Sequence, residues 1–323
     1  MPDESDPPTS TESDDDESVL FGDIGSRDAD SETMLESDYD PSALKAAAAN
    51  GKLSAEAREE LEDAVEVLEY RGMLRQLSDA LGARFERTVD FLPEIAQGKV
   101  EEVTTASLKA ALNVAVKTMD KKSESASWDL SHKLAGAAIG MVGGAFGLPS
   151  ALMELPLSTT VMLRSVADIA RANGEDLTKL ETRLECLNVF ALGGGIPEDG
   201  DEAEVADDGY DSAYFATRVL LGQEIGAATK SIAARGLSDD AAAPVVRFVS
   251  KIAARYGVKV SEKMAAMAVP ILGAAAGAAI NVAFTSHFQS VARAHFTVRR
   301  LERDYGAAVV KQEYFRLAKT LNG

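Results

Sequence analysis

Residues 134–153 read LAGAAIGMVGGAFGLPSALM, twenty positions without a charge and five of them glycine, and a second block without Asp, Glu, Lys or Arg runs from Met264 to Ala292. Two such blocks restrict the chain more than any other feature. Each is a membrane span, a close-packed helix of a soluble core, or a glycine loop around a phosphate. The phosphate loop is excluded, because no strand precedes the glycines and no GK[ST] follows them. Twenty uncharged residues reach the length of a span, yet glycine and alanine contribute little to insertion. Pro149 and Pro270 also interrupt the two helices. Glycines four apart, Gly136, Gly140 and Gly144 in the first block and Gly273 and Gly277 in the second, leave a smooth strip on one helix face, where another backbone can approach.

Around these blocks the pattern is helical. Leu61, Val65, Leu68 and Gly72 fall at i, i+4, i+7 and i+11, and Leu81, Phe85, Val89 and Leu92 at i, i+4, i+8 and i+11, again one helix face. Pro93 and Gly98 are expected to close this pair, and Thr104 to cap a third helix. Ser158 is expected to cap a helix with the stripe Met162, Val166, Ile169 and a stop at Asn173-Gly174. Thr178 and Glu181 have capping-box spacing before Leu180, Leu184 and Leu187, and glycines follow. Helices resume near Asp211 and Asp240, the latter with Val245, Val249, Ile252 and Tyr256 on one face before Gly257. No stretch alternates with period 2. The expected fold is an all-α helical bundle with two Gly/Ala-rich apolar segments packed centrally.

Charge separates the chain into parts. Residues 1–40 hold fifteen carboxylates against a single base, Arg27, and so account for most of the formal net charge of −19. Such a head buries almost nothing, and residues 1–41 read as a disordered acidic tail before a domain over 42–323. The head lacks the basic and apolar regions of a secretory signal. A second acidic run, within 196–211, reads as a surface loop. Cys186 is the single cysteine, which excludes an internal disulfide and a multi-thiolate metal site. These features suggest the cytoplasm, with peripheral attachment to the inner face of the membrane as an extension of that reading.

The runs ELPLSTTVMLRSVADIARANGEDL (Glu154 to Leu177), LECLNVFALGG (Leu184 to Gly194) and the C-terminal stretch from Val260 to Gly306 resemble the EcsC family of bacterial proteins. The resemblance covers roughly residues 60–320. It implies a bacterial protein of the cytoplasm or membrane surface and supplies no reaction, substrate or cofactor.

Candidate chemistry is sparse. His287 and His295 are eight residues apart on one helix, about 12 Å at 1.5 Å per residue, too far to share a metal. Polar or capping roles are the simpler reading. Cys186 adjoins the stripe residue Leu187 and reads as an inert core thiol. Glu154, Arg164 and Asn281 stand in apolar surroundings and need hydrogen-bond partners. They join the two halves through buried bonds, or they line a polar cleft with His287. Trp128 before the first block and Arg293, Arg299, Arg300 and Arg303 after the second stand where interfacial residues would, which suggests contact with an anionic membrane surface or a membrane-protein partner. Without stacking aromatics or a basic domain, nucleic acid is excluded. The function expected is a non-enzymatic, conditionally membrane-associated accessory protein of envelope or transport processes. The alternatives are a hydrolase or metal-dependent enzyme with a site near His132, Glu154, His287 and His295, and a soluble scaffold.

Overall fold

A helix buried on nearly every side must be enclosed by others, and the segment LETRLECLNVFAL meets that condition from Thr182 onward. In the computed structural model it forms helix α4, Leu180–Leu192. Leu184, Cys186, Leu187, Val189, Phe190 and Ala191 are all buried, and four neighbouring helices and a fifth pack around it. The structure describes residues 52–70, 94–119, 147–194, 212–237, 242–267 and 273–321, with backbone alone at 94–97, 147–151 and 273–279. The helices there are α1 (Ala55–Val65), α2 (Glu94–Thr118), α3 (Gly147–Ala172), α4, α5 (Ala213–Arg235), α6 (Ala243–Met267), α7 (Gly273–Tyr305) and α8 (Ala307–Leu321). Among the described residues there is no strand, so the fold is all-α as the periodicity requires.

Local chemistry fixes many of the ends. Ser54 caps α1 by accepting from the Ala57 amide, and Ser212 caps α5 by accepting from Phe215. After α1 the chain widens into a π-helical turn, Glu66–Tyr70, whose Glu69 carboxylate accepts from the hydroxyls of Ser212 and Tyr314. Helix α3 stops at Asn173-Gly174 as expected. Gly174 takes φ +77°, and the Glu175 amide reaches back to the Ala170 carbonyl.

Four expected boundaries fall inside helices instead. Gly98 and Thr104 lie within α2, which starts at Glu94 directly after Pro93. Ser158 lies within α3, two residues beyond Pro156, and its hydroxyl bonds the Leu155 carbonyl. Gly257 lies within α6. An interior glycine costs only about 1 kcal/mol, less than burying one more Val or Leu contributes, about 1.5–3 kcal/mol. Thr178 is not the cap of α4 either: its amide and hydroxyl bond Asp176 in a turn, and Lys179 precedes the helix without a side-chain cap.

The register of α3, α6 and α7 defines the two ends of the bundle. The Ser165 hydroxyl accepts from Gln289, and Glu175 just beyond α3 accepts from Arg299, so α3 and α7 run parallel with their starts level. Helix α6 runs against α3, since Tyr256 meets Thr159. One end therefore gathers the starts of α3 and α7 and the finish of α6. The tail 1–41, the stripe from Leu81 to Leu92, the loop 196–211, Trp128, His132, Gly136, Gly140 and Gly144 lie outside the described residues.

Candidate functional site

At the gathered end, each Gly/Ala-rich block enters its helix with one face turned inward. Leu155 of α3 and Ile280, Ala283 and Phe284 of α7 are buried, while Met153 is 82% exposed and Val282 is 65% exposed. These are the most exposed large apolar side chains among the described residues. Gly273 and Gly277 lie in the first two turns of α7, where the backbone alone is described. Leu152 and Met267 pack at the margin of the core.

Beneath this apolar end runs a polar seam. Lys263 of α6 is 1% exposed, and its ammonium stands 4.7 Å from the centre of the Phe284 ring. Burial pulls its pKa below the usual lysine value, and the nearby Glu154 carboxylate opposes that shift. Glu262 is also buried; one carboxylate oxygen accepts from Lys259 at 2.7 Å and the other has no hydrogen-bond partner. Asn281, one turn before Phe284, has a buried side-chain oxygen without a partner. The spacing signal for Lys263 was present in the sequence: Tyr256, Val260 and Lys263 continue the α6 stripe at i+4 and i+7, which the glycine at 257 concealed.

Of the three polar residues singled out in the sequence, Glu154 stands near Lys263 and Asn281 stands one turn from the Phe284 ring that faces this lysine. Arg164 lies ten residues further along α3, about 15 Å at 1.5 Å per residue, where it donates to Thr118 at 3.4 Å. The neighbouring end of α2 is held more firmly by Arg183, which donates to the Ala115 and Val116 carbonyls.

His287 plays a capping role. Its Nε2 donates to the Gly193 carbonyl at 2.7 Å, at the end of α4, which leaves Nδ1 buried and without a partner. Burial holds its pKa down at about 4, partly offset by the Gly193 bond and assisted by the Lys259 charge. The approach is close here: a Cβ on Gly193 would stand 2.9 Å from the Phe288 ring, and one on Gly194 only 2.5 Å from the Arg255 carbonyl oxygen. The glycines ending α4 are thus required by packing.

The opposite end is built from charges. Arg299 donates to both oxygens of Glu175 at 2.8 and 3.1 Å, and Arg303 donates to Glu175 and to the Asn173 carbonyl. Arg218 makes a two-pronged pair with Glu302 at 2.9 Å, and Arg300 pairs with Glu60 at 2.7 Å. Glu185 lies 3.5 Å from Arg299 and 3.7 Å from the fully buried His295, whose Nδ1 is 3.0 Å from the Tyr214 hydroxyl. Burial raises the Glu185 pKa, but His295, Arg299 and Asn188 outweigh it and bring the carboxyl down to about 2. His295 itself is lowered, because burial outweighs the pull of Glu185. The basic ridge is therefore largely committed to carboxylates of the protein itself, and Arg293 and Arg303 are its exposed members, Arg303 being paired with Glu175.

These placements bear on the enzyme alternative. His287 and His295 bond different elements two turns apart, and Glu154 faces Lys263. Among the described residues no three His, Cys, Asp or Glu side chains are grouped to hold a metal. Cys186 is buried, and burial raises its thiol far above the range in which it would react. Sequence reasoning passed over Glu175, Glu185 and Tyr214, whose partners on α7 lie 81 to 128 residues away.

A family model described as the EcsC protein family matches residues 46–301, most of the chain. No curated protein and no solved structure matches it.

Proposed function

The chain belongs to the EcsC family, and on that premise we propose that it is a non-enzymatic accessory protein of bacterial envelope or transport processes. It attaches conditionally to the inner face of the membrane or to a membrane protein, through the end of the bundle where its glycine-rich helices begin. The observation that supports this reading is the exposure of Met153 and Val282 near the starts of two parallel helices. Apolar side chains left exposed in this way favour an interface over water, at about 25 cal/mol per Å² of apolar surface removed. Among the described residues no helix is long and apolar enough to cross a membrane, which suits peripheral contact. Arg293 supplies an exposed positive charge for anionic headgroups.

The test is flotation of the purified chain with neutral and anionic vesicles, with and without residues 1–40. The chain is expected to float with anionic vesicles, more strongly once the acidic head is removed, and the pair Met153→Asp and Val282→Asp is expected to abolish flotation. Absence of flotation under every condition, or flotation unchanged in the double variant, would overturn the reading.

A further inference from the structure

Helix α7 reaches both the apolar end and the ion-paired end, and two imidazoles buried two turns apart fix it to its neighbours. His287 holds it to the finish of α4 through the Gly193 carbonyl, and His295 holds it to the start of α5 through Tyr214. His295 is fully buried and His287 is 3% exposed, so a new charge on either ring would find little water to hydrate it. His287 lies beside the Gly193 and Gly194 contact, where even a methyl group would meet the Phe288 ring or the Arg255 backbone.

We propose that these two imidazoles form a proton-operated seat: taking up a proton at each loosens α7 from α4, α5 and α6 and frees the glycine-rich end for contact. The inference rests on the membrane-contact reading above and adds the condition that controls it.

The surroundings of each ring set the direction. A proton on His287 Nδ1 creates a buried donor with no acceptor, since that nitrogen has no partner. The α6 charges facing it are Lys259 and the Glu262 that Lys259 already neutralises. A proton on both nitrogens of His295 forces the Tyr214 hydroxyl to accept instead of donate. Around His295 stand Glu185 and Asn188 from α4, Arg218 from α5, and Arg299 and Glu302 from α7 itself. Tyr314 of α8 stacks on Tyr214, and its hydroxyl is tied to Glu69. Glu185 favours the charged ring, but it shares its charge with Arg299, while Arg218 pairs with Glu302 and Arg299 also with Glu175. Burial together with two guanidiniums outweighs one shared carboxylate, and the neutral ring is the one that fits.

The sign follows from linkage. Both folded values lie below the ordinary histidine value of 6.5, so the open state binds protons first and the seat weakens as pH falls below about 6.5. Each histidine that takes up a proton only on opening multiplies the opening constant by up to about ten per pH unit.

Hydrogen exchange of the full chain, read on peptides spanning 273–305 at pH 7, 6 and 5 and corrected for the intrinsic pH dependence of amide exchange, tests this. Because pH 7 and 6 straddle 6.5, the opening constant of the unaltered chain is expected to rise about tenfold from pH 7 to 6 and up to about sixtyfold from pH 6 to 5. His287→Gln or His295→Gln alone should leave about threefold and eightfold over the same steps, and the pair should leave the profile flat. A flat profile in the unaltered chain, or an unchanged slope in the double variant, overturns the proposal. If the double variant does not fold at pH 7, the unaltered chain and the single variants still decide. Flotation at the same pH values separates the two readings. Proton-dependent exchange with no flotation at any pH supports the seat and removes the membrane reading. Flotation beside a flat exchange profile removes the seat and keeps the membrane reading.

Discussion

The two ends of α7 are held by different physics. From Arg299 to Arg303 the helix is fixed by directed pairs to Glu175, Glu185, Glu302 through Arg218, and Glu60. Toward Gly273 it is held by burial of Ile280, Ala283 and Phe284, beside polar atoms of Asn281 and Glu262 that lack partners. Directed pairs specify one geometry, because a guanidinium that loses its carboxylate is left as a buried charge. Apolar contact is less specific, and small side chains can exchange one apolar neighbour for another. One helix thus combines a fixed half with a half whose partner can change.

The sharpest way to break this contrast is Glu175→Ala. It removes an enclosed carboxylate shared by two guanidiniums, leaving Arg299 to Glu185 and Arg303 to solvent, and a loss of about 2–4 kcal/mol is expected in urea unfolding. A loss below about 1 kcal/mol would mean that the charged end is ornamental and the contrast false. The seat of α4 against α6 is tested by Gly194→Ala, whose new Cβ meets the Arg255 backbone rather than a flexible side-chain tip. A cost of about 2–3 kcal/mol is expected. Gly226→Ala in α5 is its control: nothing lies within 4 Å, so the gain in helix propensity should stabilise by about 0.5–1 kcal/mol. The smallest effect belongs to the seam. Lys263→Met removes a buried ammonium while keeping a chain that fits beside Phe284, and stability should stay within about 1 kcal/mol of the original or rise. A large loss there would show that the glycine-rich end is as firmly specified as the other.

The bundle itself was legible because helical periodicity is a property of neighbours in sequence. Val245, Val249, Ile252 and Tyr256 repeat at that spacing and are all buried. Stops that depend on a left-handed residue, as at Gly174, were legible for the same reason. What the residues concealed was relational. Pro156 and Ser158 look like a helix start, yet the helix passes through them because Leu155 and Thr159 on either side are buried against α6 and the core. The arginines after the second block look like headgroup ligands until the loop carboxylate at Glu175 supplies a nearer partner. Lys263, near Glu154, was missed because a lysine on an apolar stripe reads as an interruption.

The long reach of those pairs also sets an order of events during synthesis. The Glu175 carboxylate leaves the ribosome 124 residues before the Arg299 guanidinium that completes it. At roughly 5–20 residues per second the interval is about 6 to 25 s. Through that time α4, buried on nearly every side in the folded chain, has no α7 to cover it. A nascent chain of this design must therefore shelter its central helix behind α2 and α3, joined by α5 and α6 as they emerge, or be sheltered by a chaperone, before its last long helix arrives.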